Sequence, residues 1–232
     1  MLPRRHEPEL MDDPALDPWR HAQALRGLAR INWWSRSAEM LWPPIRALVG
    51  QRQRRALRAL DVATGGGDVP IRLCRMAARN GVSLQCDGCD RSPTAIDQAQ
   101  RRATRRHTGA RFFVHDALEV PLPSGYDVVM CSLFFHHLTA EQTLVVLGRM
   151  KAAADRLVLV NDLVRCRAGL VLAYVGTRML SRSRVVHIDG PRSVRAAWTP
   201  DELTTMAERA GLSDATVEGR WLYRMLLQWK RS

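Results

Sequence analysis

The chain has 232 residues and a formal net charge of +12 at pH 7. Its hydrophobic fraction of 46% and charged fraction of 25% are those of a globular protein, which excludes extended disorder. No apolar run approaches the roughly 20 residues that span a bilayer. The opening MLPRRHEPEL lacks the apolar stretch of a secretory signal.

The positive charge is carried by arginine, since only Lys151 and Lys230 are lysines. Basic residues exceed acidic ones mainly in residues 1–60 and 161–232, whereas the middle of the chain is nearly balanced. A solvated arginine-rich surface explains this pattern better than a nucleic-acid-binding face, so nucleic acid is a disfavoured partner.

Cysteine usage predicts neither disulfides nor a metal site. Five cysteines without a signal peptide indicate a reducing compartment, and we expect a cytoplasmic protein. Cys86 and Cys89 form a single CxxC pair, and a zinc site would require a second ligand pair that the sequence lacks.

Residues 1–50 predict an N-terminal arm and a helical cap. Residues 1–14 are polar and proline-rich, which indicates a loose arm. Apolar residues recur at helical spacing over 17–30 and 35–49, and Pro43 and Pro44 are expected to interrupt or kink the second helix.

Strands and helices alternate from residue 57 to 161, which predicts a parallel sheet covered by helices on both faces. The predicted strands are 56–63, 82–89, 111–115, 126–132 and 156–161, and the intervening helices are 69–79, 93–107 and 139–153. The main domain is therefore assigned to residues 51–232, with an insertion over about 163–198.

The insertion and the C-terminal part complete the domain. An apolar helix is predicted over 168–180, followed by a loop that contains His187 and Asp189. Thr199, Pro200 and two acids then open a helix, because threonine caps the free N–H groups and proline suits the first turn. Two strands, 213–218 and 221–229, close the chain.

The segment from Asp61 to Gly67 is the most informative stretch. A strand enters a glycine turn and a helix follows, so glycines allow a ligand to approach the backbone near free N–H groups. The spacing is not GxGxxG, and Asp61 precedes the glycines, where it would repel a pyrophosphate. A ligand that carries a cation fits this position better.

Further polar residues end the next strands. Asp90 ends the second strand, where a carboxylate accepts hydrogen bonds from both hydroxyls of a ribose. Asp116 ends the third strand and is placed to meet an adenine amino group. The stretch Tyr126–Ser132 ends the fourth strand. All lie at the carboxyl ends of parallel strands, where open α/β sheets bind ligands.

Jointly these motifs resemble class I S-adenosylmethionine-dependent methyltransferases over roughly residues 57–230. Ala63 stands where many members have glycine, a departure shared with the ubiquinone and menaquinone C-methyltransferase-like branch. The resemblance implies a Rossmann-like, doubly wound seven-stranded sheet with an antiparallel last strand. It implies S-adenosyl-L-methionine as cofactor and S-adenosyl-L-homocysteine as product. The cofactor-binding residues that it implies are Asp61, Ala63, Gly65, Gly67, Asp90, Arg91, Asp116, Ala117 and Cys131.

Three histidines are candidates for a general base in methyl transfer. His136 and His137 follow the fourth strand, and His187 lies two residues from Asp189, which is placed to orient it. A packing role stays open for each histidine. Asn161 and Asp162 end the fifth strand, where they either bind the acceptor or cap the next helix.

The tryptophan-containing N-terminal helices and the helix 168–180 are expected to form a lid over a flat, apolar acceptor. The sequence therefore favours O-methylation of a small aromatic or polyketide-like molecule, typical of secondary metabolism. The alternatives are C-methylation of a membrane-derived quinone with peripheral membrane contact, RNA methylation through arginines 101–106, and a non-catalytic cofactor-binding protein. The oligomeric state stays open.

Overall fold

The computed structural model describes residues 2–13, 15–49 and 56–231. The domain boundary predicted between residues 50 and 51 lies outside the described residues. The strands are β1 Leu57–Val62, β2 Leu84–Asp90, β3 Arg111–Val114, β4 Tyr126–Ser132, β5 Ala154–Leu163, β6 Thr216–Arg220 and β7 Arg224–Lys230. The helices are α1 Pro18–Trp34, α2 Ser37–Arg46, α3 Asp68–Arg79, α4 Pro93–Arg105, α5 Ala140–Ala153, α6 Arg167–Leu180, α7 Arg184–Ala196 and α8 Pro200–Arg209.

The seven strands form one sheet in the order β3-β2-β1-β4-β5-β7-β6. The first five strands in the chain pair in parallel, and β7 pairs antiparallel with both β5 and β6. The predicted sheet with an antiparallel last strand is thereby confirmed. The order reverses at β1, which places the crevice for ligands at the carboxyl ends of β1 and β4.

Helices cover both faces of the sheet. On one face, α5 and α8 bury Leu147, Met150 and Leu203 against alternate strand residues. On the other face, α3 packs together with α2, which buries Leu41 and Ile45 in the same cluster as the strands. The predicted lid role of the second helix is therefore wrong, because its apolar side belongs to the sheet core.

Pro43 and Pro44 do not interrupt α2, which runs through both prolines and ends at Arg46. The tryptophans of the N-terminal segment differ in their burial. Trp42 is buried in the core, whereas Trp19 and Trp33 are mostly exposed.

The predicted loop around His187 is a helix, α7. Gly190 and Pro191 suggest a turn locally, but Val186 and Val194 on this segment are buried. A Cβ atom at Gly190 would lie 2.4 Å from Cγ2 of Thr177 on α6. Glycine therefore permits the close approach of α6 and α7, and their packing overrides the local turn signal.

The N-terminal arm is bound rather than loose. Nε of Arg4 donates to the carbonyl of Ala196 at 2.6 Å, and its guanidinium lies 3.4 Å from the ring centroid of Trp198. Further along, the Asp189 carboxylate accepts the backbone N–H groups of Leu10 and Met11. The arm is thus held against α7 at both ends.

Candidate active site

A cavity of about 910 Å³ opens at the carboxyl ends of the parallel strands. Its wall combines the turn after β1, the ends of β2 and β4, and parts of α1, α6, α7 and the arm. The strand-end residues on the wall include Ala63, Gly65, Asp90, Arg91, Asp116, Ala117, Ser132, His136 and His137. One space therefore connects the candidate cofactor motifs with the helices that were expected to surround the acceptor.

Asp90 is anchored by the backbone at one end of this cavity. Its Oδ2 accepts the Gly65 N–H at 2.8 Å, and its Oδ1 accepts the Ser92 N–H at 2.9 Å. Asp90 thus links the glycine turn to the start of α4, and these bonds hold its carboxylate on the cavity wall.

Several residues of the turn after β1 have a positive φ, but they differ in what they contact. Ala63 and Gly65 both have φ of +53° and both line the cavity. Gly67 has φ of +69°, and a Cβ atom there would lie 2.7 Å from the Phe112 ring and 2.8 Å from Ala99. The structure therefore places Gly67 in the packing between helices and sheet and not on the cavity wall.

Asp61 lies beneath the turn. It is only 2% exposed, and its Oδ2 accepts the Thr64 hydroxyl at 2.6 Å. Burial raises the pKa of Asp61 to about 8, and the nearby Asp68 and Asp90 charges act in the same direction. Asp61 does not line the cavity. Thr64, whose hydroxyl donates to Asp61, does line it.

The Asp116 segment follows β3 on the same wall. Oδ1 of Asp116 accepts the Leu118 N–H at 2.8 Å, while Ala117 is buried and its carbonyl accepts a bond from Arg149. His115 is a cavity residue that the sequence analysis missed. Its Nε2 is buried and has no hydrogen-bond partner among the described residues.

Cys131 does not reach the cavity. Its side chain is fully buried in the core cluster beneath α5, because alternate residues of β4 point to opposite faces of the sheet. Burial raises the pKa of its thiol well above the usual value. The side chain of Cys131 therefore does not make the cofactor contact that was predicted for it.

A charged cluster lies on the acceptor side of the cavity. Nδ1 of the His136 ring lies 2.6 Å from Oδ1 of Asp162, and the backbone N–H of His136 donates to Oδ2 of Asp162 at 3.2 Å. Glu9 of the arm approaches both histidines, with Oε1 3.7 Å from Nε2 of His136 and Oε2 3.8 Å from Nε2 of His137. The two predicted histidines are thus brought together.

Asp162 stays ionised in this cluster. Burial alone would raise the pKa of its carboxyl, but the charge and hydrogen bond of His136 hold the pKa below its usual value. Neither Asp162 nor Asn161 lines the cavity, and the next helix, α6, is capped by Cys166 instead. Both roles predicted for the pair are therefore unsupported, and Asp162 acts as the partner of His136.

His187 stands apart from these groups. Its Nε2 lies 2.7 Å from the carbonyl oxygen of Ser181, and it is not part of the cavity wall. Asp189, which was predicted to orient it, binds the N-terminal arm. The predicted catalytic role of His187 fails because α7 directs its ring toward the preceding turn.

Several charged residues on the wall were not predicted, among them Glu9 and Arg224. Glu9 lies in a stretch that sequence reasoning took for a loose arm, and no local pattern connects it to residue 136. Arg224 begins β7, is 2% exposed, and donates to the hydroxyls of Ser35 and Ser37 at 3.3 and 3.4 Å. Burial lowers the pKa of Arg224 to about 10, so it stays cationic at neutral pH.

Comparison with known proteins agrees with this architecture. Residues 59–155 match a family model described as a methyltransferase domain. The apo structure of the S-adenosylmethionine-dependent methyltransferase SibL is similar, with a TM-score of 0.67 and 19% identity. That alignment covers 96% of this chain but 60% of SibL. No curated protein matches the sequence.

Two further solved structures resemble the whole chain. Magnesium protoporphyrin IX methyltransferase (ChlM) from Synechocystis PCC 6803, with bound S-adenosylhomocysteine, gives a TM-score of 0.63 at 16% identity, covering 96% of each chain. A putative O-methyltransferase from Nostoc punctiforme PCC 73102 gives 0.67 at 16% identity, covering 99% of this chain and 64% of the other.

Residues 59–155 thus match a methyltransferase domain, and the chain has the fold of the S-adenosylmethionine-dependent methyltransferases to which it is similar. The site fits S-adenosylmethionine, because the Asp90 carboxylate is held on the cavity wall beside Gly65, whose lack of a side chain lets a ligand approach the backbone. Asp90 would hold the ribose, and Asp116 and His115 would face the adenine. When bound, the cofactor supplies a methyl group activated on a sulfonium.

Proposed function

We propose that the chain methylates a hydroxyl group of a small aromatic or polyketide-like molecule. The observation that carries the proposal is the single cavity that joins the cofactor motifs to an apolar chamber ending at His136 and His137. A volume of about 910 Å³ is at the upper end of ordinary ligand sites, which suits two ligands together.

The apolar chamber is built by helices that sequence analysis expected to form the lid. Leu28 and Ile31 of α1 and Leu172, Ala173 and Leu180 of α6 line it. Side chains of this kind bind a flat apolar molecule and exclude water from the transfer step. We assign the cap to the N-terminal arm and α1 together with the insertion over about 163–198.

The polar end of the chamber suits the removal of a hydroxyl proton. In the neutral form of His136, the contact with Asp162 would keep the ring proton on Nδ1 and leave Nε2 to accept a proton from the acceptor. His136 and His137 are the candidates for the base in this proposal. The buried Arg224 guanidinium on the same wall favours the ionised form of the hydroxyl.

The names of similar structures support a small acceptor. They include a putative O-methyltransferase, a magnesium protoporphyrin IX methyltransferase and the pyocyanin biosynthetic protein PhzM. The RNA alternative loses support, because Arg102 of its proposed arginine face donates to the Gly66 carbonyl at 2.8 Å.

Calorimetric titration with S-adenosylmethionine and S-adenosylhomocysteine tests the cofactor site. We expect Asp90→Asn to weaken both bindings strongly, whereas Asp97→Asn, an equal change of charge on the exposed side of α4, should leave them unchanged. Mass spectrometry with phenols and quinones then identifies the product. A folded protein that binds neither compound, or methyl transfer only to carbon, would contradict the proposal.

A second candidate is C-methylation of a quinone taken from a membrane. It is favoured by the exposed apolar side of α6, where Val171, Tyr174, Val175 and Met179 are 47–80% exposed. None of the helices in the described part of the chain is long and apolar enough to cross a bilayer. Binding to anionic vesicles, measured by co-sedimentation with and without Met179→Gln, distinguishes this candidate.

A further inference from the structure

Glu9, His136 and His137 bring three potential ligand atoms within 4.8 Å of one another. The Glu9 carboxylate is 3.7 Å from Nε2 of His136 and 3.8 Å from Nε2 of His137. These separations are too long for hydrogen bonds. Atoms that share a metal ion at about 2.1 Å lie roughly 3.4 Å apart in tetrahedral geometry and about 4.2 Å apart when opposite, so the observed separations suit a common ion.

The position of His136 suits a ligand role. Its Nδ1 lies 2.6 Å from Oδ1 of Asp162, which leaves Nε2 as the ring atom that can bind an ion. Nε2 lies 3.7 Å from Oε1 of Glu9, in a region where His136 is 3% and Glu9 is 9% exposed. A bound cation would hold these two buried atoms together.

Outer partners hold two of the three groups in position. Asp162 fixes the ring of His136, and the Ser193 hydroxyl lies 2.6 Å from Oε1 of Glu9. Metal-binding histidines commonly donate their other ring N–H to a carboxylate in this way, which fixes the tautomer that binds the ion.

We propose that Glu9, His136 and His137 bind a divalent transition-metal ion. Two imidazoles and one carboxylate form a ligand set typical of zinc and of non-haem iron, and imidazole disfavours magnesium and calcium. All three residues line the cavity, so a remaining coordination position faces the acceptor chamber. The sequence analysis predicted no metal, because Glu9 is far from the histidines in the chain.

The inference deepens the proposed function and rests on it for its chemical purpose. A cation beside an acceptor hydroxyl lowers the pKa of that hydroxyl, and the proton passes to solvent. With the ion bound, His136 and His137 serve as ligands and the cation takes over the role assigned to a histidine base.

The test is zinc binding by the full chain without a polyhistidine tag, after removal of metals by chelation and dialysis. Calorimetry with zinc chloride and elemental analysis should show one ion per chain. Cobalt(II), used as a spectroscopic probe, should give the visible absorption of a nitrogen- and oxygen-bound ion.

Variants then locate the ion. We expect Glu9→Gln and His137→Asn to weaken zinc binding by at least about 100-fold, since loss of even an outer partner typically costs 10–100-fold. Glu7→Gln, an equal change on the same arm, and His107→Asn, at an exposed histidine, should bind zinc like wild type. S-adenosylhomocysteine titration of each variant confirms that the fold and the other end of the cavity are intact.

Binding well below one ion per chain, or wild-type affinity in the Glu9→Gln, His137→Asn double variant, would overturn the inference. The two proposals fail separately. Methylation of phenols by a protein that binds no zinc refutes the metal site alone. Stoichiometric zinc binding without methylation of any hydroxyl refutes the proposed acceptor alone.

Discussion

Asp61→Asn tests how strongly burial in the sheet core raises the pKa of a carboxyl group. Asp61 is 2% exposed, and its Oδ1 has no hydrogen-bond partner among the described residues. Asparagine has nearly the same shape and can still accept the Thr64 hydroxyl, but it does not ionise. The substitution therefore removes the titration and leaves the packing almost unchanged.

The expected magnitude follows from the pKa of Asp61, which burial raises from 3.8 to about 8. Between these values the folded protein holds a proton that the unfolded chain has lost. The stabilising contribution is therefore fully present below pH 3.8 and is lost as the pH rises through about 8. Each pH unit in this window lowers stability by about 1.4 kcal/mol, which gives about 3 kcal/mol between pH 5 and pH 7.

Denaturant unfolding of wild type and Asp61→Asn at several pH values measures this contribution. The stability of the wild type minus that of the variant should fall by about 3 kcal/mol from pH 5 to pH 7, with equal m-values. Asp97→Asn serves as the control, because its carboxyl is exposed on α4. Parallel pH profiles for wild type and Asp61→Asn would refute the reasoning.

Three further substitutions test local features by denaturant unfolding. Ala63→Gly should raise stability by about 0.5–1 kcal/mol, because relief of a left-handed alanine outweighs the added chain entropy; a loss above about 1 kcal/mol would contradict this. Thr199→Ala should cost about 1 kcal/mol by removing the capping box with Glu202; unchanged stability would show that this cap contributes nothing. Gly190→Ala should cost about 1–3 kcal/mol through the clash with Thr177, and a neutral result would mean that α6 and α7 can separate at little cost.

The elements that sequence reasoning located are those whose signals are local. The β1 strand, the glycine turn and the capping box at Thr199 each follow from neighbouring residues, and the structure has all three. The α7 helix was missed because its stability comes from contact with α6 and the arm, which no window around Gly190 reveals. A strong local turn signal was outweighed by packing between distant segments.

The residues of the candidate site also divide into those that local sequence predicts and those that depend on distant contacts. Asp90, Asp116 and the paired histidines follow strand ends, so the topology brings them to one crevice. Glu9 reaches the crevice because the arm binds α7, in part through Asp189, a contact across about 180 residues of chain. Asp61 and Cys131 lie at strand positions whose side chains point into the core, which a motif match does not distinguish.

The N-terminal arm belongs to both the wall of the chamber and the charged cluster. Residues 2–13 supply both a part of the cavity wall and the Glu9 carboxylate. If the arm lifts to admit an acceptor, Glu9 leaves the two imidazoles at the same moment. The open protein would therefore hold an incomplete cluster, and re-seating of the arm would restore it. Such an arrangement would couple opening of the chamber to disassembly of the cluster without any separate moving domain.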